Sequence, residues 1–275
     1  NIFFGYSPER ENPGDKSFSY DKTPKVISGY SNSCLKLIEK IYQNIVKKTF
    51  SCRTLEEAET SKLLENLYRS INIGLANEMK LICDKLNIDV HNVIESAATK
   101  NFGFQKFTPG PGLGGHCIPI DPYYLSWISK KNGYDPLILK SSAKINKNMP
   151  KFITNKILKF FNKKPKILIL GISYKKNIDD DRESPSIEIM KILKRKKINF
   201  EYNDPYFKKI RKGRKNKILK KSIELTKKNL KRFSAVLLVT DHDVYNYKYI
   251  AQNSKKIFDT RGRYKKFKYT NIIYC

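Results

Sequence analysis

The chain has 275 residues, with 55 Lys and Arg against 26 Asp and Glu, a formal net charge of +29. A composition of 40% hydrophobic and 12% aromatic residues excludes wholesale disorder, and the length suits two compact domains rather than one. The longest apolar runs, 167–170 and 235–239, fall well short of the roughly 20 residues of a membrane span, and no leader-like pattern of a basic segment and an apolar stretch is expected.

The first residue, Asn1, opens directly into an apolar run, so a chain that starts partway through a longer protein is expected. Residues 1–30 read as an irregular entry: a short strand over 2–5, the polar segment SPERENPGDK, and a second short strand near 25–28. Leu35, Ile38, Ile41 and Ile45 stand at helical spacing over 33–47. Thr54 followed by Glu57 predicts a capped helix start, and the helix runs to about residue 86. Leu64, Leu67, Ile71, Leu75 and Met79 form its expected buried stripe. A shorter helix follows over 90–98, and then a Gly/Pro loop over 108–120. Asp121-Pro122 reads as an N-cap with Pro at the first helical position, and Gly133 closes that helix. A helix over 136–148 and a helical linker over 150–162 come next.

The pattern changes at Pro165. Runs 166–170, 199–202, 235–239 and 256–259 read as short strands, separated by helices near 185–197, 206–231 and 245–252. Strands alternating with helices imply a parallel sheet with crossovers. The fold class is therefore α/β: an entry segment 1–30, an all-helical central domain 31–150, and a parallel-sheet domain 151–275. Ligands of such sheets gather beyond the carboxyl ends of the strands. The residues expected there are Tyr174, Lys175, Arg182, Asp204, Asp241, His242, Asp259, Thr260 and Arg261. Several cations at one sheet edge suit a diphosphate.

The five cysteines are widely spaced and include no C-x-x-C, which argues against a disulfide framework and a structural zinc site and for a reducing, cytoplasmic setting. Only Cys117 lies in a Gly/Pro-dense loop, where a thiolate nucleophile can be poised; a buried inert thiol is the alternative. A pair with its neighbour His116 is not implied, and His91 reads as structural. Gly110-x-Gly112-x-x-Gly115 matches the dinucleotide fingerprint only as a string, because no strand precedes it and no helix opens directly after it. On the long helix, Glu59, Lys62, Asn66 and Arg69 share one face, and Asn66, Asn72 and Asn77 are unusual in a helix interior. A solvated, ion-paired face and a buried Lys–Asn pair holding an oxyanion and a water are both open. The lysines are spread along the whole chain without an aromatic-interleaved basic motif, so nucleic-acid binding is the weaker explanation of the charge.

The segments SPERENPGDK, AETSKLLENLYRSINIGLANE, PGPGLGGHCIPIDPYYLSW and GISYKKNIDDDRESPS resemble the UDP-glucose/GDP-mannose dehydrogenase family, in the family's order and over nearly the whole chain. The branch they most resemble is the bacterial UDP-N-acetylhexosamine 6-dehydrogenases of polysaccharide synthesis. The resemblance implies a double oxidation of a sugar C6 hydroxyl to a carboxylate with NAD as cofactor. It also implies that the family's N-terminal NAD-binding domain precedes this chain, with residues 1–30 its remnant, and that the C-terminal domain is Rossmann-like and binds UDP. It makes Cys117 the nucleophile, Lys62 and Asn66 the oxyanion and water holders, Asp121 a proton-transfer carboxylate and Glu9 a participant in thioester hydrolysis. It assigns the UDP-sugar to Gly114, Gly115, Tyr174, Lys175 and Arg261, with Lys100 the nearest match for a basic residue supplied by a neighbouring subunit, and Arg182 to the NAD pyrophosphate. A homodimer through the long helix is implied, with neither nucleic acid nor membrane as partner. The N-acetylhexosamine epimer stays open, and so does a non-catalytic UDP-sugar-binding remnant.

Overall fold

The computed structural model describes residues 2–11, 20–210 and 218–275, and the chain divides into two compact units, 1–69 and 70–275. The break between these units falls inside the long helix. Part of the segment SPERENPGDK, residues 12–16, lies outside the described residues, as does 211–217.

In the first unit, β1 (Gly5–Tyr6) pairs antiparallel with β2 (Lys25–Gly29), and β2 pairs parallel with β3 (Thr49–Ser51). Helix α1 (Asn32–Gln43) connects β2 to β3 and packs on β2. Ser31 starts α1 by accepting the Cys34 N–H at 3.2 Å. The helix expected over 33–47 thus belongs to a strand–helix–strand unit. Its closing strand was not legible, because three residues with Phe50 pointing to solvent carry no alternating pattern. Val26, Cys52 and Ala58 form the small core of this unit, with Tyr6 packed against it.

Helix α2 (Leu55–Lys85) starts as the sequence implies: Thr54 Oγ1 accepts the Glu57 N–H at 3.1 Å, and the Glu57 carboxylate accepts the Arg53 N–H at 2.9 Å. Its expected apolar stripe is corrected. Leu67 is buried, but Leu64 and Leu75 are 65% and 57% exposed. The side of α2 that packs is instead small and polar: Ser70, Gly74, Asn77 and Lys80 are buried within the second unit. Small side chains there let α2 and α5 (Leu137–Lys159) approach closely; a Cβ on Gly74 would lie 2.4 Å from the Ser142 hydroxyl.

The second unit continues with α3 (Val90–Ala97), α4 (Asp121–Lys131) and α5. Helix α5 runs unbroken through Pro150, where two segments were expected. Proline removes one N–H and costs one helical bond. That loss is outweighed because Ile153 and Ile157 anchor the helix in the core of the sheet domain.

The sheet domain consists of β4 (Ile167–Leu170), α6 (Pro185–Arg195), β5 (Phe200–Asn203), α7 (Lys227–Lys231), β6 (Ala235–Leu238), α8 (Tyr247–Asn253), β7 (Ile257–Asp259) and β8 (Ile272–Tyr274). All strands are parallel, in the order β5-β4-β6-β7-β8. Alternation divides β4 between two cores: Ile167 and Ile169 face α5 and α6, while Leu168 and Leu170 join Val236, Leu238, Tyr247 and Ile250 on the other side. Fully burying such a side chain is worth about 1.5–3 kcal/mol, so Ile169→Asp would break this domain. The Lys-rich helix expected near 206–231 is corrected. Among the described residues only 227–231 is α-helical there, and 218–226 runs extended with bridges to Tyr202 and Lys209. No helix among the described residues is long and apolar enough to cross a membrane.

Candidate active site

Within the second unit the Gly/Pro loop rests on two supports. The first is α2. Asn77 Oδ1 accepts the Gly110 N–H at 2.8 Å, and Asn77 Nδ2 donates to Asn146 Oδ1 at 2.8 Å. Asn146 Nδ2 and the Ser142 hydroxyl both donate to the Ser70 carbonyl at 3.0 Å. Every side chain in this network is buried, so each hydrogen bond replaces one that water can no longer make.

The second support is the sheet domain. The Gly115 N–H donates to the Arg182 carbonyl at 2.9 Å. A Cβ on Gly114 would stand 2.4 Å from Tyr174 Cβ, and Gly115 has φ +92 with Tyr174's ring against it. Only glycine fits both positions. At the other end of the loop, Gly110 lies against the Arg261 guanidinium. Arg261 is fixed by its Nε donating to the Val239 carbonyl at 2.8 Å and by its N–H donating to Asp259. The structure thus brings Gly114, Gly115, Tyr174, Arg182 and Arg261 to one loop, with Lys175 next to Tyr174 in sequence.

Cys117 follows the loop and is exposed, whereas Cys34, Cys52, Cys83 and Cys275 are buried. Its carbonyl accepts the N–H groups of Ile120 and Asp121, folding the turn that leads into α4. Asp121 is the first residue of α4 and Ile120 its N-cap, one residue from the expected arrangement. His116 Nδ1 comes within 3.9 Å of the Cys117 sulfur, at the outer limit for a sulfur hydrogen bond. Arg182 is mostly exposed and is clamped by Asp180 through Nε at 3.0 Å and Nη2 at 2.6 Å. Asp180 raises the guanidinium's already high pKa, and Tyr174 and Cys117 lie within electrostatic reach of it.

The remaining expected residues are Lys100, Glu9, Lys62 and Asn66. Lys100 is exposed beyond the end of α3, with its ammonium 4.6 Å from the centre of the Phe102 ring. Glu9, Lys62 and Asn66 belong to the first unit. There Lys62 is half-buried, 3.9 Å from Glu65, and Asn66 is buried and accepts a hydrogen bond from Arg69. Glu9 is exposed and lies 3.8 Å from Lys25.

Three of the strand-end residues hold loops and are not open to a ligand. Asp204 is buried and accepts the Ile172 and Ser173 N–H groups at 2.6 and 3.1 Å. Burial raises its pKa, but His242 and those N–H groups outweigh it and hold the carboxylate below its ordinary range. His242 Nδ1 accepts the Asn177 N–H at 3.0 Å, so its Nε2 carries the proton toward Asp204 at 3.2 Å. Burial pushes Asp259 above the ordinary range, moderated by the Tyr264 and Arg261 N–H groups. The sequence reading missed Asn146 and Ser142, polar residues in an otherwise ordinary helix; the asparagines on α2 were the visible sign of this network.

Two family models match the chain: the central domain of the UDP-glucose/GDP-mannose dehydrogenase family over residues 56–148, and that family's UDP-binding domain over 168–266. The UDP-N-acetyl-D-glucosamine 6-dehydrogenase of Salmonella typhi is 36% identical over 213 residues, 75% of this chain and 50% of that protein. The UDP-N-acetyl-D-mannosamine dehydrogenase of Methanococcus maripaludis is 32% identical over 248 residues, 89% of this chain and 55% of that protein. The solved structure of the UDP-D-ManNAc dehydrogenase from Pyrococcus horikoshii superposes with a TM-score of 0.83 at 30% identity, covering 99% of this chain and 64% of that one. The chain thus spans about half the length of the relatives it matches in sequence. With the helical central part and the five-stranded parallel sheet both in place, the chain belongs to the UDP-glucose/GDP-mannose dehydrogenase family, of which it carries the central and UDP-binding domains.

Proposed function

We propose that the chain is the substrate-capturing part of an NAD-dependent UDP-N-acetylhexosamine 6-dehydrogenase of polysaccharide synthesis, working as a cytoplasmic homodimer. The observation that carries this reading is the position of Cys117, an exposed thiol at the end of a glycine loop seated on Tyr174 and the Arg182 backbone. Gly114, Gly115, Tyr174, Lys175 and Arg261 hold the UDP-sugar, and a partner subunit supplies Lys100. NAD, when bound, accepts the hydrides lost from C6. Arg182 suits its pyrophosphate, because the guanidinium is exposed within electrostatic reach of the thiol.

The chain's own residues do the covalent work. The Cys117 thiolate adds to the C6 aldehyde, a C–S bond forms, and the carbonyl oxygen becomes an oxyanion stabilised by Lys62 and Asn66. Asp121 takes and returns the proton of the reacting oxygen. Once oxidation has produced a thioester, a water held by Asn66 and Glu9 adds to the acyl carbon. The C–S bond breaks, the thiolate is regenerated, and the carboxylate leaves.

A second reading is a UDP-sugar-binding chain without catalysis, which needs only the UDP-binding domain matched over residues 168–266. Calorimetric titration with UDP-GlcNAc, UDP-GalNAc and UDP-ManNAc tests the part the two readings share. Saturable binding of at least one, weakened tenfold or more in Arg261→Ala, supports it; no binding at millimolar concentration overturns it. NADH formation, after the chain is joined to an NAD-binding domain, separates the two.

A further inference from the structure

The loop between β4 and α6 carries Tyr174, on which Gly114 and Gly115 rest, and Arg182, whose carbonyl accepts the Gly115 N–H at 2.9 Å. A buried pair from two other strand ends holds this loop. Asp204 stands just past β5 and is 3% exposed; His242 follows β6 and is fully buried. Asp204 Oδ2 accepts the Ile172 N–H, the Ser173 N–H and the Ser173 hydroxyl at 2.6, 3.1 and 3.3 Å, which fixes the start of the loop. Asp204 Oδ1 accepts the Tyr206 and Phe207 N–H groups at 2.7 and 3.2 Å, which ties the carboxylate to its own strand end. His242 spans from this carboxylate to the loop's tip: Nε2 lies 3.2 Å from Asp204 Oδ2, and Nδ1 accepts the Asn177 N–H at 3.0 Å. A backbone N–H can only donate, so the ring's tautomer is set and both nitrogens are engaged. Asn177 has φ +62, and its side chain reaches both the N–H and the carboxylate of Asp243, so the tip is held in a left-handed turn. Tyr174 lies between the two pinned points, Ser173 and Asn177.

We propose that His242 is a positioning residue: with Asp204 it sets the place of Tyr174, and through Tyr174 that of the glycine loop leading to Cys117. The ring bridges a carboxylate and a backbone N–H where no water can take its place, so its loss leaves both groups short of a partner. The tip at Asn177 then comes free, and the segment that carries Tyr174 swings about Ser173. Gly114 and Gly115 fit only against the present position of that side chain, so they lose their seat. For the affinity of a sugar nucleotide the proposal rests on the reading of Tyr174 and its loop as the UDP-sugar site; for the order of the glycine loop it stands alone.

The test compares the wild type with His242→Leu, which removes both ring nitrogens, and His242→Gln, which restores an acceptor oxygen and a donor nitrogen. Leu193→Ala is the control for lost stability, since Leu193 is buried in the last turn of α6, far along the helix from the loop. Hydrogen exchange followed by mass spectrometry reads the loop without any ligand. In His242→Leu, peptides covering 172–182 and Gly115 should exchange at least tenfold faster while β6 keeps its protection. His242→Gln should return to within threefold of wild type, and Leu193→Ala should leave these peptides unchanged. If His242→Leu does not fold, His242→Asn, which keeps an acceptor for Asn177 but falls short of Asp204, is read in the same way. Calorimetry with UDP-GlcNAc and UDP-ManNAc should show a tenfold or greater loss of affinity in His242→Leu and not in Leu193→Ala. Unchanged exchange at Gly115 in His242→Leu, equal loosening in Leu193→Ala, or faster exchange with wild-type UDP-sugar affinity overturns the proposal. A wild type that binds no UDP-sugar removes the sugar-nucleotide reading instead, and exchange at Gly115 alone then decides the positioning.

Discussion

Asn77 and Gly110, 33 residues apart, are joined by a hydrogen bond of 2.8 Å from the Gly110 N–H to the Asn77 side-chain oxygen. The same amide donates to Asn146 on α5, so one side chain sets the spacing of α2, α5 and the Gly/Pro loop. Asn77→Leu keeps the volume and leaves the Gly110 N–H and the Asn146 oxygen buried without that partner. A loss of roughly 2–6 kcal/mol is expected, at about 1–3 kcal/mol per unsatisfied group. Urea denaturation measures it, and a loss below about 0.5 kcal/mol would contradict the role given to Asn77.

His91 supplies a pH dependence. Its ring is packed against Gly262 and Tyr274, and burial, helped by the nearby Lys265 charge, lowers its pKa to about 4. The unfolded chain takes up this proton near pH 6.5 and the folded chain only near 4. Above the upper value the two states bind equally; as pH falls through the window the unfolded state gains. Stability should drop by about 3 kcal/mol across it, on the scale of 1.36 kcal/mol per pH unit. Denaturation midpoints between pH 7 and 4 read the slope. His91→Phe should flatten it, and an unchanged slope in that variant would assign it to other groups.

Gly114→Ala tests the seat of the loop. The added methyl meets Tyr174 Cβ, an atom no side-chain rotation can move. A tenfold or greater loss of UDP-sugar affinity is expected by calorimetry, with a melting temperature within a few degrees of wild type. Wild-type affinity would mean that the loop does not need this close approach.

The exposed stripe on α2 has its own consequence. In the second unit Leu75 and Ile82 are 57% and 46% exposed seven residues apart on α2, and Leu86, just past its end, is 62% exposed. A sustained apolar face of this kind is buried in oligomers. Leu75→Glu with Ile82→Glu should shift the proposed dimer toward monomer in sedimentation; a wild-type protein that is monomeric at all concentrations would contradict that proposal.

The sheet domain was legible because its strands are short apolar runs between helices, a pattern that leaves few topologies open. Strand β8 escaped notice because three half-buried residues carry no period. The stripe on α2 was read on the wrong side, since periodicity finds an apolar face without saying whether its own chain covers it. Pro150 was read as a break because local rules treat proline as a terminator; the packing of Ile153 and Ile157 overrides it. Cys117 stood out by its glycine-dense setting. Asp204 and His242 resembled ligand-binding groups in sequence because a buried loop anchor and a substrate contact draw on the same polar residues.

The account turns on the thiol of Cys117, and alkylation measures it directly. The chain is treated with iodoacetamide near neutral pH, and each cysteine is followed by peptide mass spectrometry with and without UDP-GlcNAc or UDP-ManNAc. Cys117 should react well ahead of the four buried cysteines, and a saturating UDP-sugar should slow it at least fivefold. A Cys117 no faster than the buried thiols, or one whose rate no UDP-sugar changes, would contradict its role as the nucleophile.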